Sequence, residues 1–100
     1  MATHVAESIV VDLPVDVAYA RWLEDLEAAG VWINDRTRDN EIAWTDTGDD
    51  RRTGVVLFES LRRDSTNVEL RLSVEHDGAD EELRQQVLGD LELFRERSQT

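Results

Sequence analysis

Few residues of this chain combine the types and spacing that catalysis needs. A nucleophilic triad requires a Ser, Thr or Cys, a nearby His and an acid that orients the His. The sequence holds 2 histidines, His4 near the N-terminus and His76 beside Asp77. His76 with Asp77 could serve as a base, but a solvated His between a strand and a helix is the commoner case. The adjacent Glu81 and Glu82 stand at a predicted helix start, where the helix dipole stabilises negative charge. We therefore predict no catalytic residue.

The patterns of metal and phosphate sites are also missing. The chain has no cysteine, so it offers neither a disulfide nor a thiolate ligand, and its two distant histidines fit no ordinary zinc motif. The acidic stretch 46–50 lacks the alternating ligands of a calcium loop. No glycine-rich loop of the kind that cradles phosphate is present. We expect no metal and no cofactor.

The charge of the chain is one-sided. It has 23 acidic residues against 11 basic ones, all of them arginine, which gives a formal net charge of -12. Such a surface repels phosphate backbones, so we expect no nucleic-acid partner. A solvated surface is the simplest interpretation of the charge, and the lysine-free composition fits a GC-rich genome as well as a high-salt cytoplasm. No apolar run is long enough for a signal peptide or a membrane span, and we expect a soluble cytoplasmic protein without integral membrane association.

Alternation of apolar and polar residues predicts an antiparallel strand pair in the second half of the chain. Residues 54–61 and 66–75 are apolar runs on either side of the polar turn 62–65. The apolar face of the second run carries Val68, Leu70, Leu72 and Val74. Glu69 and Arg71 fall on its polar face, as expected for a strand with one solvated side.

The remaining elements follow from periodicity and from helix stop signals. We predict a first strand over 4–13, then a helix that begins after Pro14 and stops at Gly30. Two short strands, 31–33 and 41–45, form a hairpin around the charged turn 34–40, and a loop at 47–52 follows. The last segment, 79–97, is predicted as a helix with the apolar stripe Leu83, Val87, Leu91 and Phe94.

This order of elements predicts a single α+β domain over residues 1–100. We expect a two-layer, helix-grip-like fold: a five-stranded antiparallel sheet, one N-terminal helix, and a long C-terminal helix across the concave face of the sheet. The inward-facing side chains are more typical of a closed core than of a ligand-binding wall.

Four stretches of the sequence, taken in order, carry a family resemblance. They are Ser8-Ile9-Val10-Val11 with Pro14-Val15-Asp16-Val17-Ala18-Tyr19 and Trp22, then Glu41-Ile42-Ala43-Trp44, Gly54-Val55-Val56-Leu57-Phe58-Glu59, and Gly89-Asp90-Leu91-Glu92-Leu93-Phe94. The chain thereby resembles the START-like (SRPBCC) superfamily, in particular its polyketide cyclase/dehydrase branch, which is also similar to the coenzyme Q-binding proteins. The resemblance implies a helix-grip fold with an apolar cavity for lipids, polyketides or quinones.

The chain departs from this family after the first helix. Full-length members continue there with a second short helix and further strands, whereas here Gly30 is followed at once by Val31-Trp32-Ile33. The resemblance therefore implies a cavity that is open on one side. Candidates for its lining are Tyr19, Trp22, Trp44, Val56, Phe58, Leu70, Leu72, Val87 and Leu91.

A lost wall would leave a new sheet edge near residues 31–36, and exposed edges pair with other chains unless charge protects them. Asp35 and Arg36 offer such protection, but the apolar residues before them do not. We expect a homodimer in which a second copy replaces the wall. The candidate interface residues are Val31, Trp32, Ile33 and Leu57.

Three functions stay open on the sequence alone. The leading hypothesis is a non-catalytic domain that binds an apolar small molecule, by itself or only as a dimer. The alternative is a structural or interaction module whose cavity is filled by its own side chains. The third is an aromatic polyketide cyclase-type enzyme, for which Tyr19, Glu69 and Arg71 would be the polar groups; the outward parity of Glu69 and Arg71 argues against it.

Overall fold

The computed structural model describes residues 3–46, 52–74 and 80–98. Its elements in chain order are β1 (Thr3–Val11), α1 (Val15–Ala29), β2 (Trp32–Thr37), β3 (Glu41–Thr45), β4 (Thr53–Arg62), β5 (Ser65–Val74) and α2 (Asp80–Ser98). The strands form one sheet in the order β1-β5-β4-β3-β2, and every neighbouring pair is antiparallel. The predicted α+β class, with five antiparallel strands, one N-terminal helix and one C-terminal helix, is confirmed.

Strand alternation places the core on one face of the sheet. In β5 the even-numbered positions from Thr66 to Val74 are buried, while Arg71 on the other parity is exposed, so the predicted orientation of this strand is confirmed. Both helices pack on the same face, α2 against β1 and β5, and α1 against β4 and β5. The prediction that α2 covers the sheet therefore holds, although α2 lies towards the β1 edge and shares the face with α1.

Local backbone chemistry sets the ends of α1. The carbonyl of Pro14 accepts hydrogen bonds from the N–H groups of Val17 and Ala18 at 3.1 and 3.0 Å. At the other end Gly30 has a φ of 76°, a left-handed conformation that glycine adopts without steric cost. The buried hydroxyl of Thr66 donates to the carbonyl of Leu13 at 2.7 Å. This bond ties the connection between β1 and α1 to β5.

The predicted turn at residues 34–40 is wrong in extent. Strand β2 continues to Thr37 after a bulge between Ile33 and Asp35, and only residues 38–40 form the turn. Asp39 in this turn has a φ of 62°. Charged side chains do not end β2 because it is an edge strand: its side chains reach water while its backbone pairs with β3.

Other element boundaries differ from the predictions by one or two residues, and β1 ends at Val11 rather than at residue 13. Residues 47–51 and 75–79 lie outside the described residues, so the predicted loop before β4 and the candidate base His76 with Asp77 are not placed. Among the helices in the described ranges, none is long and apolar enough to cross a membrane.

Candidate functional site

A cleft of about 310 Å³ opens at the end of the sheet where β3 ends and β4 begins. The helices α1 and α2 border it on one side and the sheet on the other. Its apolar lining residues are Trp22, Leu26, Ala29, Val31, Trp44, Leu72, Leu93 and Phe94. Its polar groups are Asp25, Asp46, Arg52, Gln86, Asp90 and Arg97. This volume stands at the lower end of the range for small-molecule sites, roughly 300 to 1,000 Å³.

Packing between elements fixes the aromatic part of the cleft. Trp22 on α1 and Phe94 on α2 lie with their ring centroids 4.7 Å apart and their planes inclined at 58°. Trp44 on β3 is paired with Gly54 on β4, and a Cβ atom at position 54 would overlap the indole ring. The absence of a side chain at Gly54 therefore lets the indole lie directly on the neighbouring strand.

A polar cluster joins the start of β4 to α2. The Nε atom of Arg52 is buried, and its Nη1 donates a hydrogen bond to Oε1 of Gln86. Asp90 follows Gln86 by one helical turn and lines the same cleft. Asp90 as a residue remains exposed on α2, but its carboxyl group is partly removed from water. This burial raises the pKa of Asp90 above its ordinary value of 3.8, and the positive charge of Arg52 partly opposes the rise.

An ion pair links the two helices beside the rings. Arg97 near the end of α2 reaches the carboxylate of Asp25 on α1 with its Nη1 at 2.9 Å and its Nη2 at 2.8 Å. Arg21 adds a hydrogen bond of 3.3 Å to the backbone carbonyl of Arg97. Both ionic side chains are partly exposed, so the pair contributes about 1 kcal/mol or less to stability. It holds α1 and α2 together at the border of the cleft.

The predicted lining residues fall into three groups. Trp22, Trp44 and Leu72 line the cleft. Five others are buried in the core and are not among the described residues that line it: Val56, Phe58, Leu70, Val87 and Leu91. Tyr19 packs edge-on against Phe58 with centroids 5.7 Å apart and borders a separate, more open groove of about 700 Å³ between α1 and β2. Contact of any of these residues with a ligand stays a prediction.

The candidate interface residues are also separated. Trp32 is 70% exposed on the edge strand β2, whereas Ile33 is half-buried against the core. Val31 is half-buried as well and lines the cleft. Leu57 is half-buried on the outer face of β4, so Trp32 is the most exposed of the four.

The groups considered for catalysis that lie within the described ranges are dispersed. His4 is exposed and shares a hydrogen bond of 2.7 Å between its Nδ1 and Oγ of Ser73. Glu69 and Arg71 form an ion pair on the outer face of β5, away from the core. Within the described ranges, no three His, Cys, Asp or Glu residues are grouped closely enough to hold a metal ion.

Sequence reasoning did not identify the polar cluster as part of a site. On α2 a signal was available, because four residues follow one another at steps of four, three and four: Gln86, Asp90, Leu93 and Arg97. The first three of them directly precede Val87, Leu91 and Phe94 of the apolar stripe. Arg52 gave no such signal. It stands in a loop and meets Gln86, which is 34 positions further along the chain.

Comparisons with known proteins show a shared fold. No protein-family model matches the sequence, and no curated protein sequence matches it. A solved structure from Deinococcus radiodurans is similar at a TM-score of 0.66 and 19% identity, covering 94% of this chain and 95% of its own. An uncharacterized protein of Rhizobium leguminosarum is similar at a TM-score of 0.51 and 14% identity, covering 97% of both chains.

A third solved structure, an aromatase/cyclase from a Streptomyces species, has a TM-score of 0.49 at 14% identity, covering 99% of this chain and 87% of its own. The order of strands and helices is consistent with the START-like fold that the sequence resemblance implies.

Proposed function

We propose that this chain is a START-like domain that binds an apolar small molecule, of the lipid, polyketide or quinone class, in the cleft between α1, α2 and the sheet. The observation that supports the proposal is the open space of about 310 Å³ beside the rings of Trp22, Trp44 and Phe94. Removal of the apolar lining of a cleft from water by a ligand is favourable, and the polar groups at the border would orient one end of that ligand.

The proposal is for binding rather than catalysis. Arg52, Gln86 and Asp90 interact with one another at the cleft, and none of them is a nucleophile beside a base of the kind that acyl transfer needs. Their hydrogen-bonding groups are suited to holding a polar atom of a ligand in place. A bound ligand of about one or two rings fits the volume of the cleft.

A second candidate function is supported by the packing of the interior. Val56, Leu70 and Val87, which would line the cavity of a larger helix-grip domain, have no exposed surface. A core filled in this way is what a structural or interaction module requires. The cleft between the helices and the sheet favours the binding function. The closed interior favours the structural or interaction module.

A substitution on α1 that fills the cleft distinguishes the binding function from the structural or interaction module. Ala29 lines the cleft, whereas its neighbour Ala28 is exposed and is not among the described lining residues. We expect the neutral fluorescent probe N-phenyl-1-naphthylamine to bind the purified protein with saturation at one site. Ala29→Phe should weaken this binding at least about tenfold, a loss of roughly 1.4 kcal/mol, and the control Ala28→Phe should leave it unchanged. Absence of saturable binding to the unmodified protein would favour the module.

We also propose that two copies associate through β2. The support for this is the exposure of Trp32 on an edge strand and the position of its neighbour Val31 on the cleft. A second copy at this edge would cover the indole and stand beside the open side of the cleft.

A further inference from the structure

We propose that the cleft prefers ligands whose polar end is a cation, such as a quaternary ammonium group, over neutral or anionic ligands of the same shape. This inference rests on the proposed binding function, adds the sign of the ligand's charge to it, and among the three proposed ligand classes favours the lipids, because quinones and polyketides carry no permanent positive charge. It follows from the aromatic rings, from the formal charges around the cleft and from the charge of the whole chain.

The aromatic rings supply the first part of the preference. Trp22 and Phe94 stand in contact at a centroid distance of 4.7 Å, and Trp44 borders the same space. The three residues are 7%, 4% and 8% exposed, so a ligand in the cleft meets only a small part of each ring. The π-electron face of an aromatic ring attracts a cation within about 6 Å, and indole does so most strongly. A neutral group of the same size gains only the burial of apolar surface.

The ionic side chains supply the second part. The cleft is bordered by the carboxylates Asp25, Asp46 and Asp90 and by the guanidinium groups of Arg52 and Arg97, so carboxylates are in excess by one. Arg97 already binds Asp25 at 2.8 Å, and Arg52 donates to Gln86. An anionic ligand would compete with these protein partners for the guanidinium groups.

The whole chain acts in the same direction. A formal net charge of -12 attracts cations and repels anions over a distance of about one Debye length, roughly 8 Å at physiological salt. In a cleft bordered by helices and sheet this field is screened less than on an open surface. The aromatic rings, the charges around the cleft and the net charge of the chain therefore all favour a positively charged ligand.

Three compounds of one shape test the preference: benzyltrimethylammonium, its uncharged carbon isostere neopentylbenzene, and phenylmethanesulfonate as the anion. Each is titrated against protein carrying N-phenyl-1-naphthylamine, and displacement of the probe is measured. We expect the cation to bind about tenfold more tightly than the neutral isostere, within the range of cation–π attraction, and the anion to bind most weakly. Equal or tighter binding of the neutral compound or the anion would overturn this inference and leave the proposed function standing. If neither the probe nor any of the three compounds binds, the proposed function fails, and this inference fails with it.

A pair of variants separates the local carboxylate from the overall charge. Asp90→Asn removes one negative charge at the cleft, and Glu92→Gln removes one from an exposed position on the same helix that is not among the described lining residues. We expect Asp90→Asn to weaken binding of the ammonium compound about fivefold and to leave the neutral isostere unaffected. Glu92→Gln should change neither. Equal losses in the two variants would overturn the assignment of the preference to the cleft.

Discussion

At the scale of single residues, the contact between Trp44 and Gly54 is the most constrained feature of the site. The indole lies where a Cβ atom of residue 54 would stand, and both residues are buried. We expect Gly54→Ala to lower the free energy of unfolding by about 1 to 3 kcal/mol, because the added methyl group overpacks the site. Urea unfolding followed by circular dichroism measures the change.

Gly89 on α2 is the matched control for this substitution. Apart from the local backbone of α2, a Cβ atom there would have no neighbouring atom within 4 Å, so Gly89→Ala should raise the unfolding free energy by about 0.5 to 1 kcal/mol through helix propensity alone. If Gly54→Ala proves as harmless as Gly89→Ala, then the indole of Trp44 moves aside without cost. The side of the cleft that Trp44 forms would then be deformable.

Asp90 gives a prediction about pH. Burial raises the pKa of its carboxyl above 3.8 in the folded chain, with Arg52 opposing, so the folded state binds this proton more tightly than the unfolded state. The contribution of Asp90 to stability is therefore most favourable at low pH and falls as pH rises from 3.8 through the folded-state pKa. Asp90→Asn should be more stable than the unmodified protein near pH 7, by less than about 1 kcal/mol because water screens this half-open site.

Thermal melts of the two proteins from pH 7 down to pH 4 measure this difference. The advantage of Asp90→Asn should shrink as pH falls and Asp90 takes up its proton. An advantage that grows on acidification would mean that attraction to Arg52, rather than burial, dominates the behaviour of the carboxyl.

The residue scale also shows where sequence reasoning succeeds. Alternation alone placed Leu70 and Leu72 inside and Arg71 outside, because a period of two leaves a strand only two orientations. It could not place Arg52 against Gln86, since that contact depends on how a loop and a helix are brought together by the remaining structure.

At the scale of elements, Phe94 is the main apolar contact described between α2 and α1. The ring is buried near the end of the helix and contacts Trp22. We expect Phe94→Ala to lower the unfolding free energy by about 3 to 5 kcal/mol, the usual cost of removing a buried aromatic ring. Leu88→Ala is the control, because Leu88 lies on the same helix and is 42% exposed; its effect should stay within about 0.5 kcal/mol. A melt that Phe94→Ala leaves unmoved would show that the end of α2 is not part of the cooperative fold.

Elements were predictable where one periodicity dominates and less so at the sheet edge. The stripe on α2 and the unbroken alternation of β5 fixed both elements within a residue or two. In β2 the polar run Asn34-Asp35-Arg36-Thr37 resembled a turn, yet Asn34 donates to Oγ1 of Thr45 at 2.6 Å and the strand continues beyond it. Edge strands carry such residues because only one side of their backbone is paired.

At the scale of the whole molecule, net charge and an exposed apolar side chain have opposite effects on self-association. A net charge of -12 on 100 residues makes two copies repel, and the repulsion weakens with salt. The exposed indole of Trp32 on the edge strand favours pairing, because burial of a large aromatic side chain is a main source of interface free energy. The proposed dimer should therefore form more readily at high salt than at low salt.

Sedimentation velocity of the unmodified protein, Trp32→Thr and Val10→Thr tests this balance at high micromolar concentration in low and high salt. We expect the unmodified protein to shift from monomer towards dimer as salt is raised. Trp32→Thr should remain monomeric in both conditions, since threonine keeps the strand propensity and removes the apolar surface. Val10→Thr, at a 47% exposed position on the opposite edge strand β1, should behave like the unmodified protein. A compact monomer in every condition would contradict the dimer, and the open side of the cleft would then face solvent in the working molecule.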